Sequence, residues 1–134
     1  MRIFFDTNVL IAAYLWKGVA RHVFEVAITD HTPVVSEDVI EEAKRVLSRK
    51  FDYLAEELGA FEVSIREQCE VVPTPTRLPE VAVRDSDDAW ILAAASAADI
   101  LITRDKDLLD IADAVTVPRI ARPEDFQDVL PDAP

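Results

Sequence analysis

Two periods of apolar and polar positions alternate along the chain. Arg2–Phe5 is a short run, apolar at Ile3, Phe4 and Phe5, that stops at Asp6, which is the pattern of a buried strand. Past it, Val9, Leu10, Ala13 and Tyr14 recur at helical spacing, with Thr7 or Asn8 placed as the cap and Gly18 as the end. A second helix is expected over Ala20–Ile28, with Val23, Phe24, Ala27 and Ile28 on one face. Pro33, Val34 and Val35 then read as a strand. Ser36 follows as an N-cap, ahead of Glu37 and Asp38 where the helix dipole favours anions. That helix turns Val39, Ile40, Ala43, Val46 and Leu47 inward and is expected to stop near Arg49.

Further on, Leu54, Leu58, Phe61 and Ile65 predict one helix or a pair of helices within Phe51–Gln68, with Gly59 as a possible break. Glu70–Val72 reads as a strand, and Pro73, Pro75 and Pro79 as a loop. An alanine-rich helix is expected from Asp88 to Ala98, with Asp85, Ser86 and Asp87 just ahead of it. Ile100–Thr103 reads as a buried strand, Val115–Val117 as a last strand, and Pro123 as the opening of a short helix through Val129. No repeat or linker divides the chain. Strands alternating with helices predict an α/β layer with a mostly parallel sheet. It is expected to be one domain over residues 1–130 with a short tail at 131–134.

Composition narrows the class. The 134 residues are half apolar with only two glycines, which suits a packed core rather than disorder. No apolar stretch approaches the roughly 20 residues of a spanning helix, and no secretory segment opens the chain. A soluble, cytoplasmic protein with no membrane association is expected. The single cysteine, Cys69, excludes an internal disulfide and reads as a structural thiol. His22 and His31 lack the company of cysteines that a zinc site requires. The net charge of −12, from 26 acidic and 14 basic side chains, runs against the usual composition of a nucleic-acid binder. Part of that acid belongs to a cation site or to a solvated coat of the kind found where ambient salt is high.

The placement of the acids changes the picture more than their number. Asp6 falls just past one strand and Asp105 just past another, and in open parallel sheets ligands bind at the carboxyl ends of strands. Asp88 begins the helix that leads into the Asp105 strand, and Glu42 sits in the second turn of the helix after Pro33–Val35. Converging carboxylates repel one another unless a cation joins them. An all-oxygen set suits Mg²⁺ or Mn²⁺, and the chemistry natural to it is hydrolysis of a phosphoryl group. Helix capping is the other use of acids at such positions. Two choices stay open on periodicity: Glu41 against Glu42, and Asp87 against Asp88.

The same segments resemble the PIN-domain ribonuclease family over nearly the whole chain. Ile3–Leu10, with its Asp6-Thr7-Asn8, looks like the family's opening motif, and Ser36–Glu42 resembles the second, in which the later Glu is the functional acid. Asp85–Ala93 is similar to the third, and Ile102–Leu109 to the fourth, where Asp105 is a ligand and Asp107 an accessory acid. The resemblance implies a Rossmann-like three-layer PIN fold, an α/β architecture with a four- to five-stranded, mostly parallel sheet flanked by helices. It implies Mg²⁺- or Mn²⁺-dependent endonuclease cleavage of RNA, with Asp6, Glu42, Asp88 and Asp105 as the catalytic set. Asp6, Asp88, Asp105 and Asp107 are the implied metal ligands. Thr7, Asn8 and Thr103 match positions that orient ligands or water. Arg104 and Lys106, with Arg84 and Lys17, lie near the motifs as candidates to steer phosphates. Many small members resemble VapC-type toxins, which implies a cognate antitoxin as partner and a possible homodimer, with Trp16 or Trp90 as candidate contacts if they are not in the core.

Three alternatives remain at the sequence level. One is a catalytically silent PIN-like binding module, another a nuclease of RNA maturation, and the third a phosphoryl-accepting receiver-type domain. The last usually needs a lysine at a late strand end, where this chain has Thr103-Arg104-Asp105.

Overall fold

The run that stops at Asp6 forms β1 (Arg2–Phe5), the central strand of a five-stranded sheet in the computed structural model. The structure describes residues 1–76 and 86–130, without the side chains of Ser86 and Asp87. The expectations for Pro79, Arg84 and Asp85 and for the tail at 131–134 lie outside the described residues. Two helices follow β1, α1 (Thr7–Leu15) and α2 (Val19–Asp30), and lead into β2 (Thr32–Ser36). Next come α3 (Glu37–Phe51), α4 (Ala55–Gln68) and β3 (Glu70–Val72). The second half holds α5 (Ser86–Ala94), a 3₁₀ turn at Ala95–Ala97, β4 (Ile100–Ile102) and α6 (Lys106–Leu109). It closes with β5 (Arg119–Ala121) and, after a 3₁₀ turn at Pro123–Asp125, α7 (Phe126–Val129).

All four pairings are parallel, and the strand order is β3-β2-β1-β4-β5. The direction of travel across the sheet therefore reverses between β1 and β4, the kind of switch point at which α/β sheets open a crevice. Phe4 stands opposite Val34 on one side and Leu101 on the other, and Phe5 opposite Ile102. Strands buried on both faces need continuous apolar runs, and Ile3, Phe4, Phe5, Ile100, Leu101 and Ile102 are all fully buried. Val9, Leu10 and Ala13 of α1 pack on this centre, with Val39, Ile40, Ala43 and Leu47 of α3 and Phe61 and Ile65 of α4. Phe24 of α2 meets Phe5 edge to face at 5.1 Å. Cys69 is buried, and burial pushes its thiol up to about 12, so it is an inert core group as expected.

Several sequence expectations are corrected. The last strand is Arg119–Ala121, not Val115–Val117, because Arg119, Ile120 and Ala121 stand in register with Ile100, Leu101 and Ile102. Val115 still packs into the core while Val117 is exposed. α3 runs to Phe51, past the expected stop near Arg49, and of the one helix or pair expected within Phe51–Gln68 the structure has one, α4, which continues through Gly59. Asp52 adopts the left-handed conformation, φ 56°, and its N–H closes α3 on the carbonyl of Leu47. The alanine-rich helix starts earlier and stops sooner than expected, at Ser86 and Ala94. Finally, α1 is capped by Asp6 itself rather than by Thr7 or Asn8.

Candidate metal centre

Asp6 is held at the switch point by both of its carboxylate oxygens. Oδ1 accepts the N–H of Thr7 at 2.7 Å, and Oδ2 accepts the hydroxyl of Thr103 at 2.6 Å. The Thr103 hydroxyl in turn accepts the N–H of Asp105 at 3.0 Å, so one buried threonine links the ends of β1 and β4. Asp6 is 7% exposed. Burial pushes its carboxyl up to about 6, against the two hydrogen bonds that favour the charged form, and the charges of Glu42 and Asp105 push it further up.

Glu42 comes to this point from α3. Ser36 ends β2 and caps α3 by accepting the N–H of Val39 at 3.1 Å, which starts the helix at the same edge of the sheet. One turn on, Glu42 Oε2 accepts the hydroxyl of Thr7 at 3.1 Å. The neighbouring Glu41 turns outward, with Oε1 3.7 Å from Lys44 Nζ. Glu42 is thus the member of that pair facing the site.

The remaining acids arrive on α5 and α6. Asp105 caps α6 by accepting the N–H of Asp107 at 2.8 Å. Oxygens of Asp88, Asp105 and Asp107 all lie within 4.8 Å of one another. Asp88 is buried and the other two are half-buried. Asp6 stands outside this group of three and is joined to it through Thr103 and through the charge of Asp105. Three oxygens at such spacing, with no nitrogen or sulfur donor among them, fit a hard divalent cation that keeps part of its hydration shell.

The other expected site residues are less central. Asn8 is exposed, as are Lys17 and Lys106. Arg104 is engaged by Glu124, its Nε and Nη2 donating at 3.2 and 3.1 Å. What the motifs did not point to is a cavity of about 400 Å³ beside Glu42, between α3 and α5, lined by the acids Asp38 and Glu41 as well as by Arg45, Arg49, Lys50, Trp90 and Ile91. Trp16 and Trp90 are both partly exposed, at 54% and 36%, rather than packed in the core. Among the described residues no helix is long and apolar enough to cross a membrane.

Comparison with known proteins agrees with this architecture. The chain matches a family model described as PIN domain over residues 2–107. A chain in the crystal structure of VapBC2 from Rickettsia felis, bound to a DNA fragment from their promoter, superposes with a TM-score of 0.67 at 14% identity. The match covers 91% of this chain and 98% of that one, and at such identity it speaks for the fold. No curated protein matches the sequence. The five-stranded parallel sheet and a family match over most of its length lead to one conclusion: the chain belongs to the PIN domain family, a family of nucleases.

Proposed function

We propose that this protein is a Mg²⁺- or Mn²⁺-dependent endoribonuclease and the toxin of a toxin–antitoxin pair. The observation that carries the nuclease reading is the meeting of Asp88, Asp105 and Asp107 within 4.8 Å beside the buried Asp6. Asp6, Asp88, Asp105 and Asp107 would hold the metal. When bound, it would supply the positive charge that steadies a phosphoryl oxygen and acidifies a water for attack. The rest is the work of the chain's own side chains. Glu42, fixed by Thr7, is placed to orient the attacking water and take its proton. Thr103 keeps Asp6 aimed at the crevice. RNA as substrate and a homodimer rest on the family resemblance, and an antitoxin partner on that resemblance together with the likeness in fold to a VapBC2 chain.

The test is Asp6→Asn with Mn²⁺ and a mixed single-stranded RNA. Cleavage should be lost while the circular dichroism spectrum and the melting transition persist. Undiminished cleavage by this variant would overturn the nuclease reading. For the toxin role, expression of the wild type should arrest growth, and co-expression of a short reading frame next to its gene should relieve the arrest. Neutral growth in both arms would remove that part.

A further inference from the structure

We propose that the cavity between α3 and α5 seats the strand of RNA that flanks the scissile phosphate, with one unstacked base lying on Trp90 and phosphates held by Arg45, Arg49 and Lys50. The inference rests on the ribonuclease reading and assigns that site its path for substrate.

Helix geometry comes first. Glu42, Arg45 and Arg49 are spaced i, i+3, i+7 on α3, so they form one stripe, and Lys50 adjoins it. The stripe begins at the carboxylate that faces Asp6 through Thr7 and ends at Arg49, about 10 Å further along the helix axis at a rise of roughly 1.5 Å per residue. The cavity of about 400 Å³ runs beside it, and Trp90 and Ile91 of α5 form the opposite wall. That volume lies in the range of pockets that take small ligands.

The ion pairs supply the second argument. Several other cations are closely paired, Arg2 with Glu70 at 2.8 Å, Lys44 with Glu62 at 2.7 Å, Arg66 with Glu37 at 2.6 Å and Arg122 with Asp125 at 2.8 Å. Lys17, Lys106 and Arg119 stand apart from one another and make no ion pair among the described residues. Arg104 is held by Glu124, and Arg21 donates to the carbonyls of Ala13 and Tyr14. Arg45, Arg49 and Lys50 make no ion pair among the described residues, in a chain that carries 26 acids. Asp38, Glu41 and Glu42 line the same cavity, yet none is within ion-pair distance of these three cations, which can meet phosphates without first giving up a partner.

The bland alternative is that cations near the end of a helix answer its dipole. That accounts for Arg49 and Lys50 in the last turn of α3. It does not account for Arg45, which precedes that turn, nor for an indole left 36% exposed across the cavity. Cations along one wall and an aromatic face on the other make the arrangement that binds single strands, since a base must leave its stack to lie on the ring.

The test measures binding apart from cutting. A short single-stranded RNA methylated at every 2′-oxygen is titrated without divalent metal against the protein carrying Trp16→Phe, so that Trp90 is the remaining fluorophore. RNA should quench its emission. Arg45→Ala/Arg49→Ala/Lys50→Ala should weaken binding and lower the slope of log K against log salt by about 2, at roughly 0.7 per phosphate contact. Read by the anisotropy of an end-labelled copy of the same RNA, Trp90→Leu should weaken binding about tenfold, as expected for the loss of one stacked base, while Trp90→Phe keeps most of it. Arg119→Ala, on the far strand β5, is the control and should bind as the parent does. Parental affinity and salt slope in the triple variant would overturn the groove, even if the parent cuts RNA well. Binding with quench by a protein that never cuts would leave the groove standing and sink the nuclease reading. If the triple variant binds RNA normally but no longer binds an inhibitory partner protein, the groove takes a peptide and the proposal fails.

Discussion

The hydroxyl of Thr103 donates to Asp6 Oδ2 at 2.6 Å, joining the end of β4 to the end of β1 at the point where the sheet reverses its order. Both residues are buried, and the same hydroxyl accepts the N–H of Asp105. Thr103→Val keeps the shape and removes both bonds. It should cost about 2–3 kcal/mol in urea unfolding at pH 7.5, because a buried carboxylate and an N–H each lose a partner. Thr103→Ser keeps the hydroxyl and should lose only about 1 kcal/mol for the missing methyl. Equal losses in the two variants would show that the hydrogen bonds contribute little.

Asp6 also sets a pH dependence, and its sign follows from burial. Its carboxyl is raised to about 6, above the ordinary value of 3.8, so the folded chain favours the protonated form. The stability this group contributes is therefore fully present below pH 3.8 and is lost as pH rises through 6. The rise from 3.8 to about 6 corresponds to roughly 3 kcal/mol at most. Asp6→Asn removes the titration and preserves the shape. In the absence of metal, that variant should be more stable than the wild type at pH 7.5, and the advantage should shrink toward pH 4. The comparison between the two proteins cancels the exposed acids that shift the other way, such as Glu37 and Glu62 with their Arg66 and Lys44 partners. Melting curves across this range, with a chelator present, decide it. A gap that does not change with pH would mean that Asp6 is not strained by its charge.

The adjacent pair Glu41 and Glu42 offers a sharper contrast. Glu42 accepts the hydroxyl of Thr7 and faces the site, whereas Glu41 faces Lys44. If Glu42 takes a proton from the attacking water, Glu42→Gln should slow RNA cleavage by about 10²–10⁴-fold, the usual reach of a general base. Glu41→Gln should cleave at close to the wild-type rate. Initial rates with Mn²⁺ at saturating RNA test this, and similar losses in both variants would remove the assignment.

What the sequence made legible follows from how local each signal is. β1 and β4 are strands buried on both faces, so their apolar runs stand out, and an acid at the end of each marks the crevice. β5 was misplaced because an edge strand is defined by its partner: Arg119-Ile120-Ala121 has little strand character of its own, while Val115-Thr116-Val117 has much. The pattern ends α3 near Arg49, within two residues of its last residue Phe51, but does not announce the left-handed Asp52 that closes it, and it leaves open whether the next helix passes through Gly59, as α4 does. The choice between Glu41 and Glu42 needed the Thr7 contact, which is 35 residues away in sequence. The spacing of Arg45 and Arg49 from Glu42 was readable on a helical wheel. That they make no ion pair among the described residues is a tertiary fact.

The acids of α5 and α6 carry the last expectation. Asp88, Asp105 and Asp107 bring oxygens within 4.8 Å, and a bound cation would relieve the repulsion of like charges at such spacing. A metal that binds the folded chain and not the unfolded one stabilises it by mass action, by about 2.7 kcal/mol at a hundred times its Kd. Mn²⁺ should therefore raise the melting temperature in a concentration-dependent way, whether or not any RNA is present. Asp105→Asn and Asp107→Asn should each blunt that rise, and the double variant should nearly abolish it. Glu124→Gln, an exposed carboxylate bonded to Arg104, should leave it unchanged. The rise should also diminish below about pH 6 as Asp6 takes up its proton. A melting temperature indifferent to Mn²⁺ at neutral pH, or an undiminished rise in the double variant, would overturn this centre and leave Asp105 as the cap of α6 with Asp88 and Asp107 as acids in the first turns of their helices.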